Sequence, residues 1–192
     1  PGVPNWSSPK KELESENVEA TREGAASNLR RHVRNLAQTK IPVVVSINRF
    51  STDTDDEIAA IRDEAISAGA RDVVLFEGHA NGGIGGSLLA DAVVEACAAH
   101  DSAGRPYEPI VDPGLPADQT ILRVATNVYG AHTVDFSSEA HKTLELLRNW
   151  GLDKLPVCMA KTQYSFSHEP SELGSPTGFT LPIRELRLNS GA

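Results

Sequence analysis

The chain has 192 residues, a formal net charge of −8 at pH 7 and a sequence pI near 5.2. This acidic balance, without a strong basic stripe, argues against nucleic-acid binding, which relies on Lys and Arg to displace phosphate counterions. Apolar residues make up 40% of the chain, enough for a core, and we expect no stretch long enough to span a membrane.

The first half of the chain predicts a βαβ unit. A helix is expected over residues 17–39, where apolar side chains recur at a spacing of three and four. A β-branched run, Val43 to Ile47, predicts a strand buried on both faces. A second helix opens in the Thr- and Asp-rich residues 52–57 and ends at Gly69. A second apolar strand at residues 72–76 then predicts a parallel sheet with a right-handed crossover.

A glycine-rich loop, residues 77–86, follows the second strand and precedes a helix expected at residues 87–100. The loop contains five glycines, which permit unusual backbone angles or a close backbone approach. Its amide groups and the helix N-terminus could hold an anion, and a tight structural turn is an equally good interpretation. No Gly-Lys-Ser/Thr follows, so the loop is not a Walker A motif.

The second half begins with a Pro- and Gly-rich linker at residues 101–117. Two helices are predicted at residues 118–129 and 137–150, and a third buried strand at residues 155–160. Polar residues 161–168 follow that strand, and apolar segments at 179–183 and 186–188 predict further strands. We expect two parts, a βαβ half of a nucleotide- or folate-type domain (1–104) and a helical pair with strands of the same or an adjoining domain (105–192).

Each predicted buried strand ends in a polar segment: Asn48 to Asp53, Glu77 to Gly86, and Lys161 to His168. In open α/β sheets, ligands bind outside the carboxyl ends of the strands. If the sheet is parallel, all three segments lie on one edge. This common edge is therefore the predicted ligand site.

Several stretches of the chain resemble the formate–tetrahydrofolate ligase family, in order and at family spacing, from about residue 10 to the end. They are residues 16–18 (ENV), 28–30 (NLR), 41–55 (IPVVVSINRFSTDTD), 82–85 (GGIG), 128–131 (VYGA), 155–167 (LPVCMAKTQYSFS) and 178–187 (GFTLPIRELR). The CMAKTQ run is the most specific. The resemblance implies an enzyme that makes 10-formyltetrahydrofolate from formate, ATP and tetrahydrofolate through formyl phosphate.

The resemblance also implies the fold: α/β, with a mainly parallel sheet and flanking helices, related to P-loop NTPases but without the P-loop. The family places an aromatic pair around a flat ring, and Phe50 matches the first aromatic. His79 stands where the family has a Trp, which removes much of the stacking surface. Asn81 replaces a frequent Lys or Glu, and Ser51 the usual Pro.

The candidate cofactor-binding residues share these positions at strand ends and in the glycine-rich loop. They are Asn48, Arg49, Phe50, Asp53, His79, Gly82, Gly83, Lys161 and Gln163. No residue is assigned a catalytic or metal-binding role. Other interpretations remain open: Phe50 as a buried hydrophobe, Arg49 as a salt-bridge partner, Asp53 as a helix N-cap, and Lys161 and Gln163 as hydrogen-bonded strand-end residues.

No Gly-rich Lys-Ser/Thr motif occurs in the 192 residues, so nothing cradles the β- and γ-phosphates, and magnesium is expected only where a P-loop is supplied elsewhere. This chain alone is not expected to make formyl phosphate. Both ends look like cuts through a longer sequence. The chain is therefore either a piece of a ligase or a degenerate, non-catalytic relative that serves a larger complex.

The expected ligands are a folate and a nucleotide, and the family's tetramers make self-association or partner subunits a reasonable expectation. We expect no nucleic acid and no membrane span. Cys97 and Cys158 have no metal-ligand spacing and lie in apolar segments. They are predicted to be buried thiols in a reducing compartment, either the cytoplasm or the mitochondrial matrix.

Overall fold

The computed structural model describes residues 15–104, 106–160 and 166–189. The chain divides into two compact units, one up to residue 108 and the other from residue 109. Both units combine helices with a short parallel sheet, so the α/β class is confirmed.

The first unit contains two parallel strands and the helices that flank them. Its elements are α1 (Val18–Gly24), a π-helical turn (Ala25–Leu29), α2 (Arg30–Ala37), β1 (Val44–Asn48), α3 (Asp55–Ala68), β2 (Asp72–Phe76), α4 (Gly78–Asn81), a 3₁₀ segment (Gly82–Gly86) and α5 (Ser87–Ala103). β1 and β2 pair in parallel, with Val44 opposite Asp72 and Asn48 opposite Phe76. The predicted βαβ unit is confirmed.

An apolar core joins the two strands to α2 and α3. Val73 of β2 is fully buried and packs with Ile47 of β1, Ile58 of α3 and Val33 of α2. Burying a side chain of this size stabilises the fold by about 1.5–3 kcal/mol. The expectation that β1 is buried on both faces is wrong, because Ser46 and Asn48 are exposed. Within the described part of the chain this sheet has only two strands, and helix α5 also packs against them.

Helix α3 begins with a capping box. The Thr54 hydroxyl accepts the backbone N–H of Glu57 at 3.3 Å, and the Glu57 carboxylate accepts the backbone N–H of Thr54, also at 3.3 Å. The same carboxylate accepts the backbone N–H of Asn17 at 2.9 Å, just before α1. Glu57 therefore ties the starts of two helices together. Gly69 ends α3 in the left-handed region, at φ 109°, as predicted.

The second unit contains two helices and a second parallel pair of strands. Its elements are α6 (Ala117–Val124), a π-helical turn (Ala125–Tyr129), β3 (Thr133–Phe136), α7 (Ser138–Asn149) and β4 (Thr180–Ile183). β3 pairs in parallel with β4, Thr133 opposite Thr180. Both predicted helices are confirmed, with Gly130 after the first and Ser137 capping the second. The sequence analysis did not predict β3, which is only four residues long.

Three sequence-based expectations for apolar segments are wrong. Residues 155–160 do not form a strand, and neither do residues 186–188. Leu155 is 42% exposed and Leu188 is 54% exposed. Pro156 cannot donate to a sheet ladder, which disfavours a strand at residues 155–160. Cys97 and Cys158 are free, exposed thiols rather than buried ones.

One helical run, residues 78–103, is long and apolar enough to cross a membrane by length and composition alone. By length and composition, the expectation that no stretch is long enough to span a membrane is therefore not met. A single such run is weak evidence, because core helices of soluble proteins pass the same test. Ile84, Leu88 and Val94 are exposed apolar side chains within this run.

We expect Glu57→Gln to lower the free energy of unfolding at pH 7 by about 1 kcal/mol, because the charge-assisted cap is lost. The Asn17 N–H is the main cause that holds the pKa of Glu57 below its usual value near 4.5. A lowered folded-state pKa contributes stability that is fully present above the unfolded pKa and lost as pH falls through the folded one. The deficit of the variant in urea unfolding should therefore shrink between pH 7 and about pH 3.

The matched control is Asp56→Asn, which removes a carboxylate from the same first turn of α3. Among the described residues, Asp56 has no hydrogen bond to Thr54 or Asn17, so we expect a smaller effect. Equal losses in the free energy of unfolding of the two variants would mean that each carboxylate stabilises α3 only through the helix dipole.

Candidate binding site

The carboxyl ends of β1 and β2 lie side by side. Asn48 is opposite Phe76, and the backbone N–H of Arg49 extends the ladder by donating to the Phe76 carbonyl at 3.2 Å. The segment that begins at Asn48 and the glycine-rich loop that follows Phe76 therefore leave the sheet at the same edge. Two of the three predicted polar segments are brought together here.

The third predicted segment lacks the strand that was expected to precede it. Residues 155–160 belong to neither of the two sheets. The expectation that a strand at residues 155–160 carries this segment to the common edge is therefore wrong. Lys161 and Gln163 lie outside the described residues, so their predicted binding role remains a prediction.

Phe50 lies in a turn that two hydrogen bonds with Asp53 close. The backbone N–H of Asp53 donates to the Phe50 carbonyl at 3.1 Å, and the Asp53 carboxylate accepts the Phe50 N–H at 2.8 Å. Phe50 is 64% exposed, so it is not a buried hydrophobe. Asp53 is not the N-cap of α3 either, because Thr54 holds that position. The carboxylate of Asp53 instead fixes the backbone that carries the ring.

Arg49 forms an ion pair with Asp55, whose carboxylate oxygen lies 3.0 Å from the guanidinium nitrogen. The side chain of Asp55 is 90% exposed, so the pair is screened by solvent and contributes about 0–1 kcal/mol. The pair holds the guanidinium near the first turn of α3. It confirms the alternative interpretation of Arg49 as a salt-bridge partner and does not prevent an anion from competing with Asp55.

The glycine-rich loop is folded rather than open. It forms the single turn of α4 and the 3₁₀ segment, and the Glu77 N–H donates to the Gly85 carbonyl at 3.1 Å across it. A Cβ atom at Gly85 would lie 2.4 Å from the Glu77 carbonyl oxygen, so the close approach requires glycine. His79, Gly82 and Gly83 are exposed on this loop.

The site thus presents an exposed aromatic ring, a guanidinium and an exposed glycine-rich backbone at one edge of a sheet. This combination suits a flat ring system that carries an anionic group. Asn48 is exposed at the end of β1, beside these groups. Among the described residues, no group of three or more His, Cys, Asp or Glu side chains is placed to hold a metal ion.

Sequence reasoning missed two contributors to this site. Phe76 was interpreted only as the end of a buried strand, although its ring packs under the glycine-rich loop. Asp55 was interpreted only as an acidic residue of the first turn of α3. The β1–β2 register could have indicated Phe76, since it places that residue level with Asn48.

The second unit contains a separate cavity of about 690 Å³. Its walls are mainly apolar and include Leu181, Met159 and Phe166. The polar members include Tyr129, His168, Arg184, Glu185 and Arg187. Burial is the main cause that raises the pKa of the Tyr129 hydroxyl, with a smaller contribution from Cys158. The hydroxyl is therefore a neutral hydrogen-bonding group at ordinary pH.

The amino-acid sequence matches the formate–tetrahydrofolate ligase family over residues 4–192. The chain is 43% identical over 177 residues to C-1-tetrahydrofolate synthase, cytoplasmic, of Schizosaccharomyces pombe, an alignment that covers 92% of this chain and 18% of that protein. Formate–tetrahydrofolate ligases of Paracoccus denitrificans and Symbiobacterium thermophilum are 44% and 45% identical to it. These alignments cover 94% and 95% of this chain and 32% of each relative.

The chain therefore belongs to the formate–tetrahydrofolate ligase family, as the sequence motifs indicated. It spans 32% of the length of the two bacterial relatives and 18% of the yeast one. Family membership is consistent with the α/β fold.

We expect Gly85→Ala to destabilise the first unit by about 1–3 kcal/mol, because the new Cβ would collide with the backbone of Glu77. Gly83→Ala is the matched control, since a Cβ there meets no atom within 4 Å. The control should change the free energy of unfolding by less than about 0.5 kcal/mol. Urea unfolding checks both variants, and a Gly85→Ala protein as stable as the control would contradict the close approach.

Proposed function

We propose that this chain forms part of the folate- and nucleotide-binding pocket of a formate–tetrahydrofolate ligase. The observation that carries the proposal is the Phe50 ring, held exposed by the Asp53-closed turn at the sheet edge beside the glycine-rich loop. Such a ring provides a stacking surface for the flat pterin or adenine system. The names of the relatives support a folate as the ligand.

In this proposal the other residues surround the stacked ring. Arg49 neutralises an anionic group of the ligand, such as a phosphate or the folate glutamate carboxylates, in exchange for its exposed partner Asp55. Asn48 offers amide hydrogen bonds, and His79 lies on the opposite segment as a smaller aromatic surface than the indole of the family. A ligand-binding role for Lys161 and Gln163 also stays part of the proposal, on the family resemblance of residues 155–167 alone.

The phosphate-transfer half of the reaction is proposed to need residues beyond these 192. No Gly-rich Lys-Ser/Thr motif occurs among them, and such a loop would cradle the β- and γ-phosphates and help to hold magnesium. The 192-residue polypeptide is therefore proposed to bind ligand without forming formyl phosphate. The word cytoplasmic in the yeast relatives' names supports a cytoplasmic location.

A second candidate function is that of a non-catalytic subunit in a larger assembly. The observation that favours it is the set of exposed apolar side chains along residues 84–94, with Ile84 84% and Val94 68% exposed. Side chains of this kind suit contact with another protein surface.

We expect the 192-residue polypeptide to bind tetrahydrofolate in anaerobic calorimetry and to form no 10-formyltetrahydrofolate from formate, ATP and magnesium. The physical reason is that the ring-stacking residues are present and a phosphate loop is not. Product formation above the enzyme-free background would contradict the proposal that phosphate transfer needs residues beyond these 192. Absence of binding to both tetrahydrofolate and ADP would favour the non-catalytic subunit.

Phe50→Ala should weaken tetrahydrofolate binding about 5- to 150-fold, because a stacked aromatic ring contributes roughly 1–3 kcal/mol. Its thermal stability should be unchanged, since the ring is exposed. Trp150→Ala is the matched control: this residue is also an exposed aromatic, at 62%, but it lies at the end of α7 in the second unit. Equal affinity in the two variants would exclude Phe50 from the pocket.

A further inference from the structure

Phe76 has two contacts that link the halves of the candidate site. Its carbonyl oxygen accepts the N–H of Arg49, the residue that precedes Phe50. Its ring lies against the loop on the other side: a Cβ built at Gly78 would be 2.3 Å from the Phe76 Cζ, and one at Gly86 would be 3.2 Å from Cε2. Gly78 near the start of the loop and Gly86 at its end therefore both lie against this ring.

The backbone hydrogen bonds of the loop join residues within the loop itself. The Glu77 N–H donates to the Gly85 carbonyl, and the Glu77 carbonyl accepts the N–H groups of Ala80 and Asn81 at 3.1 and 2.9 Å. These bonds fix the shape of the loop but not its position relative to the sheet. Gly82 and Gly83 lie in open space, so they provide no such anchor. The packed ring of Phe76 supplies it, together with helix α5, which continues from the loop and packs against β2.

We propose that Phe76 is a positioning residue for the folate site. The ring sets the distance of the glycine-rich loop from the sheet edge, and the carbonyl sets the start of the Phe50 turn. Phe76 thereby fixes the gap between the Phe50 ring and the loop that carries His79. This inference rests on the proposed function for its ligand, a flat pterin ring, but its structural part does not depend on any ligand.

Strand alternation provides a matched control one residue away. Side chains of adjacent strand residues point to opposite faces. Leu75 packs against the core that contains Val73 and Ile58, whereas Phe76 packs against Gly78 and Gly86. Leu75→Ala should therefore reduce global stability without releasing the loop, and Phe76→Ala should release the loop.

The first measurement is NMR-detected hydrogen exchange without ligand. In Phe76→Ala, the amides of Glu77, Ala80 and Asn81 should exchange about tenfold faster than in the unmodified protein. The Glu57 amide, which donates to Thr54 in the capping box, serves as the internal reference. Phe76→Leu, which keeps an apolar side chain of similar reach, should show a smaller increase. Loop exchange that is unchanged in Phe76→Ala, or equally raised in Leu75→Ala, overturns the inference.

The second measurement is tetrahydrofolate affinity. Phe76→Ala should bind about tenfold more weakly, with Phe76→Leu recovering most of the loss and Leu75→Ala staying near the unmodified value, because a looser gap loses the stacking geometry. Full affinity in Phe76→Ala overturns the positioning role. If the unmodified protein binds no tetrahydrofolate, the proposed function fails, and hydrogen exchange alone decides whether Phe76 positions the loop.

Discussion

The parallel pairing of β1 with β2 is the constraint on which the candidate site depends. Asn48 faces Phe76 across the sheet, and the Arg49 N–H continues the ladder by one further bond. A slip of one residue would turn Val73 out of the core and separate the two loops. The complete burial of Val73 makes such a slip costly. Packing in the core thus determines which segments meet at the edge.

Two carboxylates order the backbone near this edge. The Asp53 carboxylate holds the Phe50 backbone, and the Glu57 carboxylate holds Thr54 and Asn17. These bonds order the backbone in advance, so that less conformational entropy is lost when a ligand binds. The exposed ring of Phe50 remains available for contact. Asp53, which orders the turn, and Phe50, whose ring stays exposed, therefore have different roles in the structure although they are near neighbours in sequence.

Local signals in the sequence predicted the helices well, because a cap or a terminating residue acts within one turn. Ser137 and Gly69 are examples. No such local signal exists for residues 155–160. Their apolar composition predicts a buried strand, but burial depends on what packs against them. The role of Asp53 was missed for a related reason: Asp and Thr are both good N-caps, and only the backbone geometry shows that Thr54 caps α3 while Asp53 closes the turn.

The π-helical turn at residues 25–29 changes which side chains share a helix face. Two residues eight positions apart on a regular α-helix differ by about 80° in direction, and one extra residue accommodated in a wider turn reduces this to about 20°. Arg22 and Arg30 have that spacing, and both reach the single carboxylate of Glu64 on α3. The wide turn therefore brings the two arginines closer to one direction, and one buried acidic group contacts two helical segments.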